Sequence, residues 1–322
     1  MTAGFSTPQD RACFIVNPNA GGFRRDPSLI GRLRAEVGYS SDVLITQNDG
    51  DLARAARAAL GVPRRAIVLC GGDGTYLSGV TALVRAAEGK PLPPLVLARG
   101  GTVSIVARNW GGRESLLETA RRVTTRPDSL RVTPRPTLAV VDDDSERHGA
   151  KRVGFTFGTG LVARFFEEYE RLGADGNRTA LGIVLRTFAA SLTGGAYSKR
   201  ILSPLPCTIA VDGTALVPVA YSLVVSSVLR DVGLHMLVTH RGGEDPRRPH
   251  LVASPLSPRK LGPQWPRVAL GKPLRGRDNF DGLVGTFTVD FGGARGRYIL
   301  DGDAFPATKV TVTAGPVIPV AR

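Results

Sequence analysis

Gly71-Gly72-Asp73-Gly74-Thr75 follows directly on the apolar run Ala66-Ile67-Val68-Leu69-Cys70. The run reads as a buried strand, and Thr75 to Ala87 reads as the helix after it. A glycine-rich turn at such a junction lets backbone N–H groups close on a phosphate, and the helix start adds partial positive charge. Asp73 is acidic where phosphates would sit, so its natural partner is a cation or a substrate hydroxyl. Taken alone, the stretch also reads as a tight turn with a capping Asp. The elements around it carry the distinction.

The first ~130 residues alternate strand and helix patterns at the spacing of α/β units. Ala12 to Val16 is an apolar strand, followed by the turn Asn17-Pro18-Asn19-Ala20-Gly21-Gly22. Asp26-Pro27 then opens a helix as N-cap and first helical residue, with Leu29, Ile30, Leu33 and Val37 on one face and Gly38 at its end. Val43 to Thr46 is a second strand, Asp51 to Leu60 a helix stopped by Gly61, and Leu95 to Ala98 a fourth strand leading through Gly100-Gly101-Thr102 into a helix toward Asn109. Alternation without hairpin signals implies an α/β domain with a parallel, Rossmann-like sheet over residues 1–130. Ligands of open parallel sheets gather beyond the carboxyl ends of the strands. Asn17 to Gly22, Thr46, Gly71 to Thr75 and Gly100 to Thr102 all occupy such ends. Neither Gly-x-x-x-x-Gly-Lys-Ser/Thr nor Gly-x-Gly-x-x-Gly is present, which sets aside P-loop and dinucleotide folds.

From Leu130 onward short β-rich runs dominate: Thr137 to Val141, Val153 to Phe157, Cys207 to Val211 and Ala220 to Val228, with turns such as Asp212-Gly213. Helical stretches near Leu161 to Leu172 and Ala180 to Leu192 interrupt them, and Arg241 to Pro273 reads as loop. Residues 131–322 therefore read as a β-rich, sandwich-like second domain. The 322 residues carry a net charge of +14, from 42 basic and 28 acidic side chains, and aromatics make up 6%. The field attracts polyanions, but the arginines are scattered and no basic–aromatic interleaving supports stacking on bases, so nucleic acid is not expected as a partner. No membrane-spanning run and no apolar signal core in Met1 to Arg11 point to the cytoplasm. Cys13, Cys70 and Cys207 have no metal-ligand spacing, and Cys13 and Cys70 fall in core strands.

Asn17-Pro18-Asn19-Ala20-Gly21, Gly71-Gly72-Asp73-Gly74-Thr75, Gly100-Gly101-Thr102 with Ala107-Arg108, and Leu300-Asp301-Gly302-Asp303 stand in an order and spacing that resemble the diacylglycerol kinase catalytic-domain family. That family includes diacylglycerol, sphingosine and bacterial lipid kinases, and the resemblance runs from about Ala12 to Val317. NAD kinases and phosphofructokinases are similar through the Gly-Gly-Asp-Gly motif alone. The resemblance implies ATP and Mg²⁺ as cofactors and a diacylglycerol-like or sphingoid lipid hydroxyl as phosphoryl acceptor, met peripherally at the inner face of a membrane, with the second domain presenting the lipid. It implies nucleotide contacts from Asn17, Pro18, Asn19, Ala20, Gly21, Thr46, Gly101 and Thr102, and phosphates cradled by Gly71, Gly72, Asp73, Gly74 and Thr75. Asp303, at the family's usual Glu position, is the first choice for general base, with Asp301 or Asp73 as the alternative, and the catalytic magnesium falls to Asp73 or Asp301.

Several positions depart from the family pattern. Leu77-Ser78 stands where Asn-Glu is usual, Arg99 replaces a proline and Ser104 an asparagine. The family's Asp-Gly-x-x-Asp, which holds a structural magnesium, aligns with Val232-Gly233-Leu234-His235-Met236, so that ion is expected to be absent. These departures leave two alternatives open: a catalytically weak nucleotide- or lipid-binding regulatory relative, or a kinase for a soluble acceptor such as NAD. Asp142-Asp143-Asp144 reads as a solvated hairpin loop, and His148, His235, His240 and His250 pair with no Cys or Ser at triad spacing. Phe165, Phe166 and Tyr169 read as core rather than lipid-facing, and Leu181, Ile183, Val184, Leu185 and Phe188 either pack or line an acyl pocket.

Overall fold

The computed structural model describes residues 11–100, 104–143, 151–173 and 176–322. Two compact units result: residues 11–135 with Val317–Arg322, and Pro136–Pro316.

The first unit is built on β1 (Ala12–Val16), β2 (Ser41–Ile45), β3 (Ala66–Gly71) and β4 (Leu95–Arg99), paired parallel in the order β2-β1-β3-β4. β1 and β3 are buried along their full length, as their unbroken apolar runs require of parallel strands covered on both faces. The connecting helices are α1 (Gly21–Arg25), α2 (Ser28–Val37), α3 (Asp49–Leu60), α4 (Asp73–Ala87), α5 (Ile105–Asn109) and α6 (Leu116–Thr125). Their ends follow local chemistry. The Asn48 side chain accepts the Asp51 amide at the start of α3, and Ser115 with Glu118 forms a reciprocal capping box on α6. Asp26 accepts the Ser28 amide and hydroxyl in front of α2. Leu33 and Val37 bury against the sheet while Leu29 and Ile30 pack at its margin.

The second unit is antiparallel. β6 (Leu138–Asp142), β7 (Arg152–Gly154), β10 (Thr208–Val211), β11 (Thr214–Ala215), β16 (Thr286–Asp290) and β19 (Lys309–Ala314) form a sheet in the order β11-β10-β16-β19-β6-β7. β8 (Thr156–Gly160), β13 (Leu223–Ser227), β14 (His250–Ser254), β15 (Phe280–Leu283), β17 (Gly296–Leu300) and β18 (Asp303–Ala307) form another, in the order β15-β14-β13-β8-β17-β18. The short pair β9 (Leu205–Pro206) and β12 (Ala220–Tyr221) stands apart. β16 alternates buried and half-buried side chains, the period expected when one face of a sheet is covered. Phe157 of one sheet meets Phe287 of the other edge-on at 5.5 Å and stacks on Tyr298 at 5.4 Å, so the two sheets share an aromatic core as a sandwich does.

Four sequence expectations are corrected. The strand β20 (Ile318–Ala321) belongs to the first unit, between β4, to which it is parallel, and β5 (Val132–Arg135), to which it is antiparallel. The boundary thus falls after Arg135 and the chain crosses it twice. Val153 to Phe157 is two strands, because the chain leaves one sheet after Gly154 and enters the other at Thr156. Arg241 to Pro273 contains β14, buried throughout, and the short helices Pro258–Leu261 and Trp265–Ala269. Asp142 is a buried end of β6 that accepts the Tyr298 hydroxyl at 2.6 Å and pairs with Arg152, and Asp143 accepts the Thr308 amide and hydroxyl; Asp144 and His148 lie outside the described residues. Opposite charge and hydroxyl donors make burial of Asp142 tolerable where a lone carboxylate would not be. Phe165, Phe166 and Tyr169 are half-buried and pack on one another. On the neighbouring helix Gly176–Thr193, Ile183 is buried, Phe188 leans on Trp265, and Leu181 and Leu185 are exposed.

Cys13, Cys70 and Cys207 are all buried. Burial pushes the Cys13 and Cys207 thiols up to about 11 and raises Cys70 further. Since the thiolate is the reactive form, alkylation of the native protein at pH 8 is expected to label none of the three. Counting thiols by a colorimetric disulfide reagent before and after guanidinium checks this; rapid native labelling would contradict the packing.

Candidate active site

The turns after β1, β2, β3 and β4 do not merely share a rim; they are locked to one another. The Asn17 amide donates to the Cys70 carbonyl at 3.2 Å, and its side-chain amide donates to the Thr75 hydroxyl at 3.1 Å. The Asn17 side-chain oxygen accepts the Asn19 amide at 2.9 Å, an Asx turn that sets the path of Pro18, Asn19 and Ala20 into Gly21. Thr46 is buried and donates its hydroxyl to the Val16 carbonyl at 3.2 Å, tying the end of β2 to β1. Gly22 donates its amide to the Gly100 carbonyl and Gly100 its own to the Gly71 carbonyl, each at 2.8 Å.

Two glycines here are required by close approach. A Cβ on Gly22 would lie 2.3 Å from the Gly100 carbonyl oxygen, and one on Gly71 would lie 2.2 Å from the Thr75 hydroxyl. Gly72 is the N-cap of α4, whose first turn is Asp73-Gly74-Thr75. Backbone N–H groups of a helix's first turn have no intrahelical acceptor, and this fifteen-residue helix begins with Asp73-Gly74-Thr75, the stretch the resemblance assigns to phosphates.

Asp73 does something the sequence did not suggest. Its two carboxylate oxygens accept the backbone amides of Ile105 and Val106 at 2.8 and 2.9 Å. The aspartate at the start of α4 therefore caps the start of α5. Burial raises its pKa, against the opposing pull of those two amides and the charge of Arg108. Ser104, the residue at the departed asparagine position, takes a left-handed conformation with φ 50°, which asparagine tolerates better than serine. The departed proline position, Arg99, donates to the Arg113 carbonyl at 3.2 Å. Leu77 is buried in α4. Gly101 and Thr102 lie outside the described residues.

In the second unit, Asp301-Gly302 is the turn of the β17–β18 hairpin, with φ 51° and 100° and Leu300 paired to Asp303. Two positive φ values mark a hairpin turn of the type that favours Asp-Gly. The Asp301 carboxylate also accepts the Phe155 amide at 2.9 Å and the Thr156 amide at 2.7 Å. Those amides sit where the chain passes from β7 to β8, and a strand leaving its sheet frees backbone donors that must be satisfied. Asp301 satisfies them. Asp303, two residues on, is exposed at the first position of β18. Both Asp73 and Asp301 are thus held by paired backbone amides, whereas Asp303 stands at the surface. Sequence reasoning had no access to the partner amides, because Asp73 and Asp301 find them 32 and 145 residues away.

Val232 to Met236 closes on itself: Val232 donates to the Met236 carbonyl at 3.2 Å and Met236 to the Gly233 carbonyl at 2.9 Å. The Asp231 carboxylate accepts the Gly233 amide, and Met236 sulfur receives the Trp265 indole N–H. Val232, Leu234 and Met236 supply no oxygen side chain for a hard cation.

Residues 11–132 match the model of the diacylglycerol kinase catalytic domain. Among solved structures, a diacylglycerol kinase from Bacillus anthracis str. Sterne shares the fold with a TM-score of 0.62 at 16% identity, over 98% of this chain and 97% of that one. Yeast NADH kinase complexed with NADH aligns with a TM-score of 0.50 at 12% identity, over 97% of this chain and 83% of that one. No curated protein sequence matches the chain significantly. At such identities the structural likeness is one of fold.

Proposed function

We propose that this chain, whose residues 11–132 match the model of the diacylglycerol kinase catalytic domain, transfers the γ-phosphate of ATP to a hydroxyl of a diacylglycerol-like or sphingoid lipid. The match of residues 11–132 to that family's model supports the coarse part of this reading, a kinase that uses ATP. The observation that carries it is the interlocked set of turns around Gly71–Thr75 at the start of α4.

Phosphoryl transfer asks little covalent chemistry of the protein and much positioning and charge neutralisation. The Asp73, Gly74 and Thr75 amides would hold the nucleotide phosphates, and Asn17 would keep Thr75 oriented beside them. Asp73 acts first as a positioning residue, since its carboxylate holds the Ile105 and Val106 amides at the start of α5. Magnesium takes oxygen ligands and relies on one or two carboxylates plus the phosphates. Asp73 or Asp301 would supply the carboxylate oxygen that chemistry uses. Bound with ATP, the ion would neutralise charge on the phosphates. Asp303, exposed at the first position of β18, is assigned as the base that takes the proton of the acceptor hydroxyl.

Among the described residues no helix is long and apolar enough to cross a membrane, so the lipid would be met at a surface. Incubation with radiolabelled ATP and mixed vesicles of diacylglycerol, sphingosine and phosphatidylglycerol tests the proposal. Labelled lipid is expected from one of these acceptors. Label appearing in NAD instead, with no dependence on vesicles, would overturn the lipid assignment while leaving the kinase standing.

A further inference from the structure

Outside the phosphate-facing turns, one side-chain cluster in the second unit has chemistry that its packing leaves unused. His240, His250 and Asp281 each bring one donor atom to within 4.8 Å of the others. β14 and β15 pair with His250 opposite Leu283 and Val252 opposite Asp281. His250 and Asp281 are therefore diagonal neighbours on one sheet face, and the His250 Nε2 lies 2.8 Å from an Asp281 oxygen. His240 arrives from the turn before β14, with its ring edge-on to His250 at 4.9 Å.

That turn is held firmly. The Thr239 hydroxyl donates to the Leu229 carbonyl at 2.8 Å, and Gly242 donates to the Thr239 carbonyl at 2.7 Å. A Cβ on Gly242 would lie 2.1 Å from the Leu229 carbonyl oxygen, so the turn sits too close to accept a side chain there. The His240 ring is thereby presented on a rigid support, the condition for a built site.

Two polar atoms in the cluster are buried and have no hydrogen-bond partner: Nδ1 of His240 and the second carboxylate oxygen of Asp281. Buried polar atoms are satisfied in the great majority of cases, and an exception asks for a missing partner. Here the two orphans belong to a single cluster, and both are metal-ligand atoms. The nearby positive charge is already committed, since Arg241 pairs with Glu244 at 2.8 Å.

We propose that His240, His250 and Asp281 form a binding site for one divalent transition-metal ion of the zinc class. Two imidazoles and a carboxylate suit zinc and its neighbours rather than magnesium, which demands oxygen. Zinc–ligand bonds of about 2.0–2.1 Å place tetrahedral donors about 3.3 Å apart. The donor atoms lie within 4.8 Å of one another, so binding would draw them closer by side-chain rotation. On binding through His250 Nε2, the ring proton shared with Asp281 would move to Nδ1, which would give up the Arg241 amide that it accepts at 3.4 Å, and water would complete the ligand set. It would fasten the turn before β14 to the β14–β15 edge, a structural role separate from phosphoryl transfer.

Titration of the chelator-stripped full chain with Zn²⁺ against a chromophoric competitor, in excess Mg²⁺, tests the site. One equivalent of Zn²⁺ is expected to bind without competition from Mg²⁺. His240→Ala and Asp281→Asn should each weaken binding at least ~10-fold, and His235→Ala should not change it. Co²⁺ bound to the wild-type chain should give visible ligand-field absorption that added Zn²⁺ removes. Absence of a stoichiometric site in the wild-type chain would overturn the proposal whatever the variants do. So would undiminished binding by a folded His240→Ala chain.

Discussion

Asp303→Asn is expected to lower phosphoryl transfer by about 10²- to 10⁴-fold, the range for loss of a general acid–base group, with no change in melting temperature. The side chain is exposed at the first position of β18, and surface substitutions usually stay within about ±0.5 kcal/mol. ATP affinity should stay at the wild-type value, so the loss appears in kcat. Asp303→Glu should recover part of the rate, because the longer side chain still carries the base. Asp301→Asn is the contrasting control. Its carboxylate accepts the Phe155 and Thr156 amides; an amide side chain keeps one acceptor and turns an N–H₂ toward the other donor. A buried donor left unsatisfied costs about 1–3 kcal/mol, so Asp301→Asn should lower the melting temperature as well as activity. Full activity in Asp303→Asn with loss only in Asp301→Asn would move the base assignment away from Asp303.

Asp73→Asn is expected to lose stability and nucleotide affinity together. Both Asp73 oxygens are occupied by the Ile105 and Val106 amides, and the asparagine nitrogen cannot accept either one. The cost is again about 1–3 kcal/mol for the donor left unpaired. The released segment is the start of α5, which is joined to α4 through Asp73, and α4 begins at the turn that would face the phosphates. A shift of about 1 Å in such a frame is enough to cost about 10²-fold in rate. Thermal melting and equilibrium binding of an ATP analogue, measured on the same preparation, check this. Unchanged stability with abolished turnover would identify Asp73 as a direct participant in the chemistry instead of the clamp on α5.

The two aspartates show where reading the chain from its residues succeeds. Gly71 to Thr75 announces a strand-to-helix turn because an unbroken apolar run precedes it and helix-forming residues follow, all within local reach. Asp301-Gly302 announces a hairpin for the same local reason: only a few residue types tolerate consecutive positive φ values. What neither stretch contains is its partner. The amides that Asp73 and Asp301 accept are brought to them by β4 and by the β7–β8 junction, far along the chain.

Strands were legible in proportion to how distinct their pattern was from their surroundings. β1 and β3 are continuous apolar runs and cannot be mistaken. β14 is apolar too, but Pro249 and the arginines before it and Pro255 after it mask a five-residue strand as loop. Val153 to Phe157 alternates well enough to be one strand, and nothing in alternation says that the sheet changes at Phe155. β20 has only Ile318, Pro319, Val320 and Ala321 to declare itself, and its place between β4 and β5 depends on a vacancy in a sheet built from the other end of the chain.

By itself the sequence determined the α/β beginning, the β-rich remainder, the glycine turns and the acids that could serve them, because each rests on short-range sterics and periodicity. The tertiary structure alone decided the division of labour among those acids, two holding backbone amides and one at the surface. It alone brought His240, His250 and Asp281 together as well, since residues scattered from a turn and two strands become a cluster only when strand register sets which side chains share a face.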